Sequence, residues 1–178
     1  MQWKIIKESS LLFLVALVMG CTSPGTGEDL AMGTFTLTSS AFSNNGRIPD
    51  VYTCKGQDIN PPLSLQGIPQ GAKSFVLIMD DPDAPMGTWD HWVVWNIPPT
   101  TTEIHEGEEP QGVAGKNSWG RTGYGGPCPP SGTHRYVFKL YALDTMLNLK
   151  KGETKREVEQ AMQGHILAQT QLVGLYSK

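Results

Sequence analysis

Two stretches, Ser74–Met79 and His91–Ile97, are apolar at nearly every position, and they limit the fold more than any other feature of the chain. A strand with one wet face alternates. A run that is dry throughout suits a strand covered on both faces inside a layered fold. The first run ends in Asp80-Asp81-Pro82 and the second in Pro98-Pro99. His134–Leu143 is the clearest alternating strand. His134, Tyr136, Phe138, Leu140 and Ala142 share the inward face, while Arg135 and Lys139 lie on the wetter one. Phe35–Thr38 alternates too. Ile48–Tyr52 leads into a loop through Gly56, Asp58 and Pro61-Pro62, and the polar stretch from Thr100 to about Arg121 reads as loop. Thr154-Lys155-Arg156-Glu157 is a capping box. Val158, Ala161, Met162 and His165 then recur at helical spacing, and Gly164 makes a stop. Ile166–Tyr176 reads as a terminal strand. Many short strands with one good helix predict a mostly β fold, a β-sandwich with peripheral helices.

The first twenty residues read as a targeting segment. Lys4 and Lys7 precede the apolar run Leu11–Met19, and Gly20-Cys21 follows. That run is too short to span a bilayer as a helix, which needs roughly 20 residues, and suits a cleaved signal peptide. Val18-Met19-Gly20-Cys21 resembles a bacterial lipobox, in which the cysteine is acylated (palmitate is the expected lipid) and becomes the first mature residue. Residues 1–20 are thus expected to be a signal peptide. Residues 21–33, with Pro24, Gly25, Gly27 and Gly33, are expected to be a tether, and 34–178 the folded domain. The expected location is an exported, membrane-anchored lipoprotein on the periplasmic or cell-surface side.

Losing residues 1–20 takes Lys plus Arg from 14 to 12 and Asp plus Glu from 17 to 16, near −4. No basic run of the kind that drives nucleic-acid binding is present, so any anion must be held by a local pocket. With Cys21 lipidated, Cys54 and Cys128 remain, in a compartment where disulfides persist. Whether they pair depends on their distance, which the sequence leaves open.

Two segments carry the chemistry. Asp81-Pro82-Asp83-Ala84-Pro85 leads to Trp89-Asp90-His91-Trp92-Val93-Val94-Trp95-Asn96-Ile97-Pro98. Gly123-Tyr124-Gly125-Gly126-Pro127-Cys128-Pro129-Pro130-Ser131-Gly132 leads to Thr133-His134-Arg135-Tyr136. In each, a proline-stiffened loop feeds a buried strand. If the loops meet, two carboxylates, two imidazoles and a phenol surround a small cavity. Gly125 and Gly126 leave their backbone N–H groups open to approach. Taken singly, an Asp-Pro is most often a turn and a strand-end histidine most often a structural residue. The glycine loop also lacks the Lys-Ser/Thr ending of a P-loop.

Together, these segments resemble the two signature regions of the phosphatidylethanolamine-binding protein (PEBP) family, in order and in separation. Tyr52-Thr53-Cys54 with Pro61-Pro62-Leu63, Trp119-Gly120-Arg121-Thr122-Gly123 and Gly164-His165-Ile166-Leu167-Ala168 resemble its bacterial Raf-kinase-inhibitor-like branch. The likeness runs from about residue 34 to the C-terminus. It implies a ligand site at Asp81, Asp83, His91, Gly125, Pro127, His134 and Tyr136, suited to phosphate, acetate and phosphoethanolamine-type head groups. It implies no cofactor, no metal and no nucleic acid, and leaves a protein target undefined. The stretch between the two regions departs from animal members, so their partners do not carry over.

Three function classes compete. The first is reversible binding of small anions or phospho-head groups. The second is inhibition of a protease or kinase through a surface loop, which leaves no mark in the residues. The third is hydrolysis, with Asp81, Asp83 and the histidines as acid and base. No Gly-x-Ser-x-Gly nucleophile motif is present, and Cys128 is the one thiol in a signature loop. The chain is therefore read as a binder and not an enzyme. His91, His134 and the Gly125-Gly126 amides are the expected anion donors, binding more tightly as pH falls through the histidine range. The anchor has its own test. Cys21→Ser should move the protein from the membrane to the soluble fraction; a variant held as firmly as the parent shows that the anchor lies elsewhere.

Overall fold

The computed structural model describes residues 34–178. The expected signal peptide, the lipidated Cys21 and the tether lie outside the described residues. In chain order the strands are β1 (Thr36–Thr38), β2 (Gly46–Arg47), β3 (Leu63–Gln66), β4 (Ser74–Asp81), β5 (Trp89–Ile97), β6 (Glu103–Ile104), β7 (Val113–Ala114), β8 (Thr133–Leu143) and β9 (Ile166–Ser177). A 3-10 turn covers Asp50–Tyr52, and α1 (Lys155–Ala161) stands between β8 and β9. One sheet has the order β1-β3-β6, the other β2-β9-β8-β4-β5-β7. All pairings are antiparallel except β2 with β9.

β4 lies inside the larger sheet, and all eight of its residues are buried. Phe75, Leu77 and Met79 join Trp92, Tyr136, Phe138 and Leu140 in the core shared with the smaller sheet. Val76 and Ile78 point the other way, into a second core with Trp95, Leu147, Val158 and Met162 beneath α1. The mostly β sandwich read from the sequence is the fold. α1 begins at the expected capping box, in which the Thr154 and Glu157 side chains each meet the other's backbone. It stops at Ala161, earlier than the 158–165 spacing suggested. Met162 still reaches the second core, whereas the His165 ring turns out to Asp144. The 100–121 stretch read as loop contributes β6 and β7. Each has two residues, too few to leave a period in the sequence.

Two strand irregularities re-aim side chains. Between β4 and β5, Met79 faces Trp92 but Asp80 faces Asp90, leaving His91 as the extra residue of a bulge. A second bulge falls at Asn96, whose φ is 56° and whose side chain bonds both the N–H and C=O of Leu147.

Cys54 and Cys128 are joined as a disulfide, with Cα atoms 5.5 Å apart, and the Cys54 N–H also donates to the Pro127 carbonyl at 3.2 Å. The bridge ties the loop after the 3-10 turn to the glycine-proline loop ahead of β8. The two cysteines are 74 positions apart, and closing so long a loop restricts the unfolded chain by about 4 kcal/mol. Replacing both with Ala should lower the unfolding free energy by about that amount in a denaturant titration. A loss below about 1 kcal/mol would show that the bridge adds little beyond the native contacts.

Candidate functional site

Strand alternation separates the two aspartates at the end of β4. Asp80 points under α1. There its Oδ2 accepts from Lys139 Nζ at 2.7 Å and Lys155 Nζ at 2.9 Å, and Lys155 also reaches Asp90. Asp81 points to the opposite face. Its Oδ2 meets His134 Nδ1 at 2.7 Å, and its Oδ1 accepts from the Asp83 N–H at 2.8 Å. Asp81 and His134 are both buried.

The bulge turns His91 toward the Asp81 side. Its Nδ1 lies 2.6 Å from the Gly125 carbonyl. A carbonyl only accepts, so Nδ1 carries the proton and Nε2 of the neutral ring is left as an acceptor. Burial pushes the His91 imidazole below its ordinary value; the Gly125 carbonyl and the Asp81 carboxylate pull the other way and do not win. The ring packs edge-on against Tyr136 and Trp119, with centroids 5.2 and 5.0 Å apart.

These groups close one end of a cavity of about 440 Å³. Asp81, His91 and Tyr136 line it beside Trp89, Trp119, Pro85, Met86 and Pro130. Met86 and Trp119 are exposed, and the mouth is apolar on that side. Tyr136 is fully buried. Burial first, and the Asp81 carboxylate second, push its phenol up, so it stays a donor at any ordinary pH. The Cys128 backbone beside its Oη pulls the other way without outweighing burial, and neither the Tyr136 O–H nor the buried Trp89 Nε1–H has an acceptor among the described residues.

The structure places the predicted residues unequally. Asp81, His91 and Tyr136 line the cavity, and His134 stands behind Asp81 and fixes it. Asp83 turns outward. Arg135 gives it a backbone N–H and two guanidinium bonds, at 2.9, 2.9 and 2.6 Å, and holds its carboxyl down to about 2. Pro127 contributes a carbonyl to Cys54, away from the lining. The expectation that the Gly125 and Gly126 amides serve as anion donors is corrected. The Gly125 N–H donates to the His91 carbonyl at 3.1 Å, and the Gly126 N–H to Asp58 Oδ1 at 2.6 Å. Both glycines are needed for contact instead. A Cβ at 125 would strike the Trp119 ring, and one at 126 would lie 2.5 Å from the Tyr52 carbonyl.

Trp89, Trp119 and Met86 were not anticipated as lining residues. Trp89 sits within the first signature segment, and Trp119 is the lone tryptophan of a polar stretch; the sequence held no stronger signal. A larger hollow of about 690 Å³ is lined by Asp58, Glu109 and Tyr124 among others. Its carboxylates are already engaged: Glu109 accepts from Trp92 Nε1 and the Tyr124 N–H, and Asp58 from Gly126. The smaller, aromatic cavity is therefore the better site.

Comparison with known proteins agrees with this architecture. The family model described as phosphatidylethanolamine-binding protein matches residues 38–177. A UPF0098 protein of Pyrococcus horikoshii is 51% identical, over 94% of this chain and 87% of its own. A UPF0098 protein of Methanothermobacter thermautotrophicus is 53% identical, over 80% of this chain and 98% of its own. The crystal structure of a putative PEBP homolog from Chlamydia trachomatis has a TM-score of 0.79 and 46% identity, covering 81% of this chain and 97% of its own. That of an E. coli protein described as a new member of the mammalian PEBP family has a TM-score of 0.76 and 31% identity, covering 81% and 98%.

The Asp83–Arg135 pair has a defined pH signature. Asp83 titrates near 2 in the fold and near 3.8 when unperturbed, so the pair stabilises the native state above about pH 4. That contribution is lost as pH falls toward 2. Asp83→Asn should be less stable than the parent at about pH 5, and the gap should close by about pH 2. A gap that stays constant over that range would show that the pair does not govern it.

Proposed function

The chain belongs to the phosphatidylethanolamine-binding protein family, and on that premise we propose that its aromatic cavity binds phosphate-type anions and phospho-head groups reversibly, without turnover. The observation that carries this reading is the pair of unpartnered buried donors, Tyr136 Oη–H and Trp89 Nε1–H, in the wall beside Asp81. A buried donor left unpaired costs about 1–3 kcal/mol, and an acceptor oxygen in the cavity would return it. Phosphate and phosphoethanolamine supply such oxygens. Asp81 keeps a lone pair on each oxygen beyond its two bonds, which suits an ammonium group at the same end. His91 Nε2 accepts from a ligand hydroxyl while neutral and donates to an anion once protonated. The single thiol in the lining, Cys128, is held in the disulfide, which supports binding over covalent catalysis.

We also infer from the N-terminal sequence that Cys21 carries a lipid and that the cavity works on an exported, membrane-anchored protein.

Titration of the purified protein with phosphate and with phosphoethanolamine, followed by NMR at several pH values, tests the site. Tyr136→Phe should weaken both ligands about tenfold. Asp81→Asn should weaken phosphoethanolamine more than phosphate. Affinity should rise as pH falls below the ordinary imidazole range, because burial lowers His91, protonation then makes its Nε2 a donor, and a bound anion favours that form. Affinity that rises with pH, or that ignores Tyr136→Phe, overturns the assignment. Free phosphate released from phosphoethanolamine, and lost in Asp81→Asn, would make the protein a hydrolase.

A further inference from the structure

The Cys54–Cys128 bridge is open to solvent. Both cysteines are exposed, although the neighbouring Thr53, Pro127 and Pro129 are buried. The bridge stands between two hollows. On one side Cys128 belongs to the wall of the aromatic cavity. On the other, both cysteines line a smaller hollow of about 290 Å³ with Lys55, Pro129, Tyr176 and Lys178. Lys55 lies over the Tyr176 ring, its Nζ 5.8 Å from the centroid. Among the described residues, the side chains of this hollow bring two ammonium groups and no carboxylate.

These surroundings match the needs of thiol–disulfide exchange. The incoming thiol attacks as its thiolate, and the displaced cysteine leaves as one. Neighbouring lysines stabilise thiolates. Exposed bridges are also the labile ones, whereas buried structural bridges resist reduction.

The loop ahead of β8 does not depend on the bridge alone. The Gly126 N–H donates to Asp58 Oδ1 at 2.6 Å, the Tyr124 O–H to the Tyr52 carbonyl at 2.8 Å, and the Cys54 N–H to the Pro127 carbonyl at 3.2 Å. None of these bonds uses a sulfur, so the loop stays docked when the bridge opens. What loosens is Cys128 itself. Its backbone stands beside Tyr136 Oη, and Gly125 of the same loop holds the His91 ring.

We propose that this bridge is a modification site, opened by small thiols that carry a carboxylate, and that its opening reshapes the wall of the aromatic cavity. The thiolate bonds to one cysteine sulfur as the S–S bond breaks, and the other sulfur leaves as a thiolate that takes a proton from water. The product is a mixed disulfide beside a free cysteine. A second thiol releases the first as a small disulfide, so the bridge gains two electrons and two protons while two thiols are oxidised. The exchange needs no ligand in the cavity, and its test uses none.

Mercaptoacetate, mercaptoethanol and cysteamine differ in charge and little in size. Each rate of opening is followed on the intact chain by mass spectrometry at equal thiolate concentration, then divided by that thiol's rate with a neutral small disulfide. The corrected rate for mercaptoacetate should exceed that for cysteamine by about fivefold, and Lys55→Gln/Lys178→Gln should remove the difference. By NMR, opening should shift the indole signals of Trp89 and Trp119 and leave that of Trp95, in the second core, in place. Cys54→Ser/Cys128→Ser should show the same pattern with no thiol added. A bridge that exchanges only in denaturant, rates blind to thiol charge, or Trp89 and Trp119 signals that stay put overturn the proposal. So does loss of the Trp95 signal along with the others, since that would make the bridge a support of the whole fold.

Discussion

β4 has protein on both faces and ends in two adjacent carboxylates, and much of the molecule follows from that conjunction. Both carboxylates are buried, so each needs its own partner or costs several kcal/mol. Alternation sends them to opposite layers. Asp80 is met by Lys139 and Lys155, which fastens the first turn of α1 to the sheet. Asp81 is met by His134, which ties the end of β4 to the start of β8. A structural ion network and a cavity-lining carboxylate are thus successive residues of one strand. The site inherits the rigidity of the sheet, because moving Asp81 would disturb Asp80 as well.

The bulge at His91 completes the arrangement. With regular pairing His91 would fall on the α1 side with Val93 and Trp95, both in the second core. One extra residue reverses its direction and brings it beside Tyr136. The Gly125 carbonyl then fixes the ring, and Trp119 packs across Gly125 where a side chain would collide. The disulfide and the neighbouring prolines stiffen that loop from its far side. The imidazole is consequently held by neighbours that each have one workable position.

Much of this was legible in the sequence. The dry runs around β4 and β5, the alternation of β8 and the capping box of α1 each report a local pattern that the fold kept. Asp81, His91, His134 and Tyr136 could be selected because the two segments that carry them resemble the signature regions of the PEBP family. What stayed hidden depends on register and contact. The bulge leaves the composition of β5 unchanged, so its effect on His91 is invisible until β4 is paired beside it. The Gly125 and Gly126 amides looked available because glycine exposes its backbone. Only the fold shows that His91 and Asp58 have already taken them. Asp83 looked equivalent to Asp81, two residues along, until Arg135 claimed it from the outer face.

The loss of those amides changes what kind of recognition the site can perform. A glycine loop with free N–H groups binds phosphate through donors that do not titrate. Here the side-chain donors of the lining residues are a phenol, an indole and an imidazole whose charge depends on pH, set beside a carboxylate. Against a dianion, the Asp81 carboxylate is repulsive and burial disfavours the charged form of His91. The set is better matched to a ligand that brings its own positive charge or its own proton. On the binding reading proposed above, zwitterionic and protonated head groups match these charges better than bare phosphate, and the mouth beside Met86 and Trp119 is apolar enough to face an uncharged portion.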